Sequence, residues 1–255
     1  MSSPFVTLRV DNFIAYVGLA KEPVNAVDRS MRYQMIEIFD KLSERRDVRV
    51  VVIESGTKVF CAGVDLKDRP DPDSAGDLTS TNRLTRETFN SIRECNKPVI
   101  CKVQGGAMGL GVVLALSCDI IVASEDAWFS MPEINVGLAG GVAALQSFLP
   151  RSLARKLIYT GARIGAKELG AYGVIDCVAH AQLDDFVHNL ATEISEKSPP
   201  AIRYAKRSAN LAELMHPAEA YKFEQHYTSQ LASSADGIEA RKAMLEKRKP
   251  VFNEN

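Results

Sequence analysis

The stretch "RVVVIES", Arg49 to Ser55, limits the fold more than any other part of the chain, because its β-branched residues run on almost without a polar break. A strand with one wet face alternates apolar and polar side chains, so a near-continuous run belongs to a strand covered on both faces. A helical pattern comes directly before it. In "SMRYQMIEIFDKLSERRD", Met31, Met35, Ile38, Phe39 and Leu42 fall on one face behind Ser30 as the expected cap. The alternating segments "FVTLRVDN" and "FIAYVGLA" precede that helix as strands. A second cycle follows: "LTSTNRLTRETFNSIRECN" reads as a helix, "KPVICKVQG" as a strand, "GLGVVLALS" as a buried helix and "CDIIVASE" as a strand. Strands that alternate with helices in this way predict an α/β fold with a mainly parallel sheet and helices outside it.

After about residue 150 the pattern changes to successive helices with little strand signal beyond "VIDCVA". The spacing predicts a core over 1–183 and a helical part over 184–255. That second part is too thin in apolar residues for its own core, so it needs another surface, either the first part or a neighbouring subunit. Between Asp65 and Ser80, "DLKDRPDPDSAGDLTS" combines prolines, a glycine and several aspartates, which predicts a mobile loop, either a solvated excursion or a lid.

Charge and cysteine usage remove whole classes of function. Lys and Arg number 31 against 32 for Asp and Glu, so no global field draws the chain to nucleic acid or an anionic membrane. The apolar region Ala107 to Ser124 is broken by Asp119, which fits a buried helix running into a strand better than a membrane span. The five cysteines form no CxxC pair, and the four histidines show no HExxH arrangement, so disulfide-framework and zinc readings lack support. The start, "MSSPFVTLRVDNF", has no basic region ahead of an apolar core. The expectation is an intracellular, cytoplasmic protein, with an organelle matrix as the other compartment that fits.

Three glycine-bearing segments carry the chemistry: "VFCAGVDLK" (Val59 to Lys67), "VQGGAMGLGVVLALSCD" (Val103 to Asp119) and "FSMPEINVGLAGG" (Phe129 to Gly141). Glycine lets backbone approach a ligand closely, and two free N–H groups aimed at one point make an oxyanion hole. The second segment lacks the third glycine of a dinucleotide fingerprint, and no GK[ST] follows. In the third, Glu133 is a lone carboxylate among apolar residues and glycines, a setting that turns the group to solvent or raises its pKa for chemistry. In this order and spacing, "FCAGVDL", "QGGAMGLG" with "LALSCDIIVAS", and "MPEINVGL" resemble the crotonase superfamily, the enoyl-CoA hydratase/isomerase proteins. The resemblance runs from "EPVNAV" to "TGARIGAKELGAYGVIDCV".

The resemblance implies a crotonase-like core of repeated ββα units, a helical C-terminal part that makes homotrimers or dimers of trimers, and an acyl-CoA substrate with no separate cofactor or metal. It implies that the backbone N–H groups of Val64 and Leu110 hold the thioester oxygen and that Glu133 is the acid/base residue. Substrate contacts are implied at Val24, Ala26, Ala62, Val64, Asp65, Leu66 and Lys67, and again at Met108, Gly109, Leu110, Val113, Pro132 and Gly141. One position departs from the family's hydratases: of their two glutamates, the one near the start of the buried helix is replaced by Val113. A two-carboxylate water addition cannot be drawn with valine there, whereas one carboxylate suffices to move a double bond. An enoyl-CoA isomerase is therefore the expectation, with a hydratase using another water-positioning group or a non-catalytic acyl-CoA-binding homologue as the alternatives. Other roles stay open on the residues alone: Glu133 as a structural carboxylate, Lys67 as a solvated loop lysine, and Asn135 as orienting water or bonding its own backbone. Asp119 is expected to tie down a strand start, and Cys118 to be core.

Overall fold

The computed structural model describes residues 5–253. Its strands are β1 (Val6–Asp11), β2 (Ile14–Leu19), β3 (Val50–Ser55), β4 (Val99–Val103), β5 (Gly106–Met108), β6 (Ile120–Ser124), β7 (Trp128–Ser130), β8 (Arg163–Gly165) and β9 (Asp176–Val178). The helices are α1 (Arg29–Glu44), α2 (Asp77–Arg93), α3 (Leu110–Leu116), α4 (Val142–Phe148), α5 (Arg151–Thr160), α6 (Ala166–Ala171), α7 (Leu183–Ser195), α8 (Pro199–Ala212), α9 (Pro217–Ala232) and α10 (Ala235–Leu245). None of them is long and apolar enough to cross a membrane.

Six strands form one sheet in the order β1-β2-β3-β4-β6-β9, antiparallel only between β1 and β2. The run in β3 explains itself here. Val51 and Ile53 face the main core with Val17, Cys101 and Ile121, while Val50 and Val52 face a smaller apolar cluster on the other side of the sheet with Ile14, Ile100 and Val122. Helix α7 closes that cluster with Leu183, Val187 and Ala191. The first helix of the C-terminal part thus packs on the chain's own sheet.

A smaller sheet, β5-β7-β8, lies in a second layer of strands. The first ββα unit keeps both of its strands, β1 and β2, in the large sheet, whereas β4 and β6 are each followed by a short strand, β5 and β7, in this layer. Cys61 joins it as well, through a parallel bridge to Ala107. These three-residue strands are too short for a readable alternation, and they are absent from the strands that the sequence predicts.

Two local expectations are corrected. Asp28, not Ser30, caps α1: its carboxylate accepts the Met31 N–H at 2.8 Å. Both residue types cap well, but Asp28 also meets Lys21 at 2.6 Å. The segment Asp65 to Ser80 is tied down rather than free. It contains a single turn of 3-10 helix (Leu66–Asp68), and α2 has already begun at Asp77. Arg29 holds Asp77 through two bonds of 2.6 and 2.8 Å, and its backbone N–H donates to Asp68 at 2.6 Å. Of the aspartates read as solvating, Asp68 and Asp77 are partners of Arg29 on α1 and Asp65 of Lys21, while Asp71 and Asp73 are exposed. Asp119 does fix a strand start, accepting the Val99 N–H at 2.7 Å, and Cys118 is buried in the main core.

Candidate active site

The site is built where the second-layer strands end. Cys61 leads to the turn at Leu66–Asp68, β5 to α3, and β7 to the 3-10 turn Pro132–Val136. Parallel register brings the three exits together, with Cys61 beside Ala107, and Ala107 and Met108 beside Phe129 and Ser130. Val64 and Leu110 therefore lie the same distance beyond a bridged pair. Gly63 sits between them: a Cβ there would come 2.9 Å from Met108 O and 3.6 Å from Leu110 N, and its φ of 91° already requires glycine.

Among the described residues, neither the Val64 nor the Leu110 N–H has a hydrogen-bond partner. Each has a structural reason. The bridge between Val27 and Val64 uses the Val27 N–H, bonded to Gly63 O at 2.8 Å, and the Asp65 N–H, bonded to Val27 O at 3.0 Å, leaving the Val64 N–H over. Leu110 opens α3, where first-turn N–H groups have no carbonyl one turn earlier.

Glu133 reaches the same place from β7. Its carboxylate lies against Gly109, where a Cβ would stand 2.2 Å from Oε1. Gly109 has a φ of 51° and donates its N–H to Ser130 O at 2.9 Å, so the missing side chain is what admits the carboxylate. Oε2 is buried without a hydrogen bond among the described residues. Burial pushes the Glu133 carboxyl above the ordinary glutamate range, opposed only by its own backbone N–H. Val113 stands one turn along α3 from Gly109, half-buried against the main core. A Cβ on Gly141 would come 3.1 Å from Val113 Cγ2, and one on Gly140 would come 3.5 Å from Glu133 Cγ, so the adjacent glycines lie one against each side chain.

The remaining sequence-derived positions fall around this centre. Val24 O accepts the Ala62 N–H at 3.0 Å, and Ala26, Ala62 and Asp65 are half-buried beside it. The Met108 N–H donates to Cys61 O at 2.9 Å, and Pro132 opens the turn that carries Glu133. Leu66 and Lys67 are exposed on their single turn. Asn135 is exposed and belongs to the Gly161 side, where a Cβ would meet its Nδ2 at 2.9 Å.

Sequence reasoning missed Asn25 and Lys21. Asn25 is fully buried with a φ of 52°. Its Nδ2 donates to Ser55 Oγ and Phe60 O at 2.8 and 3.0 Å, its Oδ1 accepts the Lys21 N–H, and its carbonyl accepts the Cys61 thiol. It thereby ties the end of β3 to the loop that carries Val64. The one available signal was an asparagine, a residue that tolerates positive φ, just after a proline in "EPVNAV".

Fold and site together define a crotonase-type enzyme. A model of the enoyl-CoA hydratase/isomerase family matches residues 9–255, and the chain belongs to that family. It is 31% identical over 243 residues to a (7aS)-7a-methyl-1,5-dioxo-2,3,5,6,7,7a-hexahydro-1H-indene-carboxyl-CoA hydrolase of Rhodococcus jostii (strain RHA1), covering 95% of this chain and 94% of that one. It is 35% identical over 255 residues to carnitinyl-CoA dehydratase of Escherichia coli (strain K12), covering 94% of each. Among solved structures, an enoyl-CoA hydratase of Mycobacterium smegmatis superposes with a TM-score of 0.93 at 28% identity, over 98% of this chain and 99% of that one.

Proposed function

We propose that the protein moves the double bond of an enoyl-CoA thioester, using Glu133 as the single base and the Val64 and Leu110 N–H groups as the oxyanion hole. The observation that carries this reading is a buried, unbonded carboxylate oxygen against Gly109, next to the unpaired Leu110 N–H, with the unpaired Val64 N–H on the neighbouring exit. The resemblance adds that Val113 occupies the position of the hydratases' other carboxylate. In a 3-enoyl thioester, Glu133 takes a proton from C2. The C2 electron pair moves toward the carbonyl, and the negative charge of the resulting dienolate rests on the thioester oxygen between the two donors. The same carboxyl group then delivers its proton to C4, and the double bond lies between C2 and C3. No water enters. A structural carboxylate would keep both oxygens hydrogen-bonded, which the unbonded Oε2 does not fit.

The thioester lies along Val24, Ala26, Ala62 and Met108, with Lys67 free to meet a CoA phosphate and Val113 and Gly141 walling the acyl group. Coenzyme A enters as part of the substrate, and this chemistry needs no other cofactor. Residues 1–183 supply the site and 184–255 the packing for trimers or pairs of trimers. The exposed Tyr221 and Phe223 on α9 and Ile238 on α10 support an oligomer. Hydration is the second reading, favoured by the hydratase and dehydratase names of the relatives, and it needs a water-positioning group other than a second glutamate.

A panel of 2-enoyl, 3-enoyl and 3-hydroxyacyl-CoA thioesters, followed optically, tests the reading. Conversion of the 3-enoyl to the 2-enoyl thioester is expected. Turnover of none of the three would remove it.

A further inference from the structure

The peptides on both sides of Val64 are held by Val27, yet beyond Asp65 the chain leaves for an exposed turn in which Leu66 is 66% exposed. The fixed point at that exit is the Asp65 side chain. Its Oδ2 accepts a bond from Lys21 Nζ at 2.9 Å, and its Oδ1 accepts the Lys67 N–H at 3.0 Å. The same ammonium donates to Asp28 Oδ2 at 2.6 Å, while Asp28 Oδ1 caps α1. The Phe5 ring lies 5.3 Å from the ammonium.

This is a sheltered arrangement, with the Lys21 side chain 14% exposed and the two carboxylates 21% and 23% exposed. One cation between two carboxylates does more than a pair could. It joins the N-terminus of α1 to the residue after Val64, and without it the carboxylates would repel each other. Its bond to Asp65 is the arm that bears on the Val64 peptide, and its bond to Asp28 the arm that bears on α1.

We propose that Lys21 is a positioning residue for the reaction, holding Asp65 and through it the Val64 N–H at the place where the thioester oxygen sits. The proposal rests on reading Val64 as an oxyanion donor. Removing one such donor outright lowers kcat by about 10²–10³. A displaced donor retains part of that effect, so Lys21→Met is expected to lower kcat by about tenfold or more. The donor acts most strongly on the dienolate, so KM changes less than kcat. Lys21→Arg restores turnover, because a guanidinium can span two carboxylates.

The test reads the carbonyl directly. Butyryl-CoA labelled with 13C at the thioester carbonyl does not react, and its infrared carbonyl band reports polarisation when bound. With wild type the band is expected to move to lower frequency. Lys21→Met should lose at least half of that displacement together with the kcat loss, and Lys21→Arg should recover both. Asp65→Asn, which leaves Asp28 on Lys21 and the α1 cap in place, should behave like Lys21→Met, and it carries the test if Lys21→Met does not fold. No displacement with wild type would overturn the oxyanion reading itself. A full displacement in Lys21→Met and Asp65→Asn with unchanged kcat, whatever the melting temperature, would overturn the role of Lys21 and leave the oxyanion reading intact. A rise in KM alone would assign Lys21 to CoA binding and also overturn the proposal.

Discussion

At the scale of single residues, Glu133 was legible because its setting is chemically odd, a charge after proline in an apolar, glycine-rich segment. Its neighbour Gly109 shows what the sequence could not display: the carboxylate occupies the space of an absent side chain, 2.2 Å from where that Cβ would be. Asn25 and the Asp28 cap were hidden for a different reason. Asn25 depends on a partner far along the chain, Phe60, whereas Asp28 and Ser30 are both good capping types two positions apart, and the bond from Lys21 to Asp28 is what the local pattern does not display. Replacing Glu133 with Gln is expected to leave CoA binding intact and lower turnover by about 10²–10⁴, the contribution of a general base. Stability gives an independent check. Because burial raises the folded pKa, the wild type loses stability as pH climbs from the ordinary glutamate value through that raised pKa. Glutamine does not titrate, so the melting temperature of Glu133→Gln relative to wild type should rise across that window and level off above it. A constant difference from pH 4 to pH 8 would mean that the carboxyl is not held out of water.

At the scale of elements, the large sheet and α1 follow from their apolar patterns, α2 from the spacing of Leu84, Thr88 and Ile92 on its buried face, and α3 from being apolar all round. The second-layer strands do not, since three residues carry no period and their pairing is decided by which loops meet. The Asp65 to Ser80 segment was misjudged for a related reason: aspartates solvate a loop when unpaired and fix it when Lys21 and Arg29 are within reach. Another long-range link joins the C-terminal helices to the core. Lys206 on α8 is buried and donates to Ile92 O, Lys97 O and Asp119 Oδ2 at 3.2, 3.0 and 2.8 Å. Lys206→Met keeps the packing but strands those acceptors, so a loss of about 3 kcal/mol in unfolding free energy is expected by denaturant titration, with an unchanged slope. A loss below about 0.5 kcal/mol, the range of a surface substitution, would mean that the acceptors are satisfied some other way.

At the scale of the whole molecule, the helical character of the last third was readable, but not how it divides its surfaces. Helix α7 covers the chain's own sheet, while α9 keeps only Ala220 buried and leaves Tyr221 57% exposed. Light scattering is expected to give three or six times 27.9 kDa, and a monodisperse monomer would contradict that assembly. The central claim is that one carboxylate and a valine make a double-bond isomerase, and it is tested by following a 3-enoyl-CoA and its 2-enoyl isomer with the enzyme by proton NMR. Wild type should interconvert the isomers faster than it forms the 3-hydroxyacyl product. Val113→Glu should raise the share of that product, modestly, since a glutamate without supporting hydrogen bonds is held loosely. Hydration by wild type at about ten per second or more, an ordinary enzyme rate, would contradict the claim and make the protein a hydratase in which Glu133 keeps only the proton transfer.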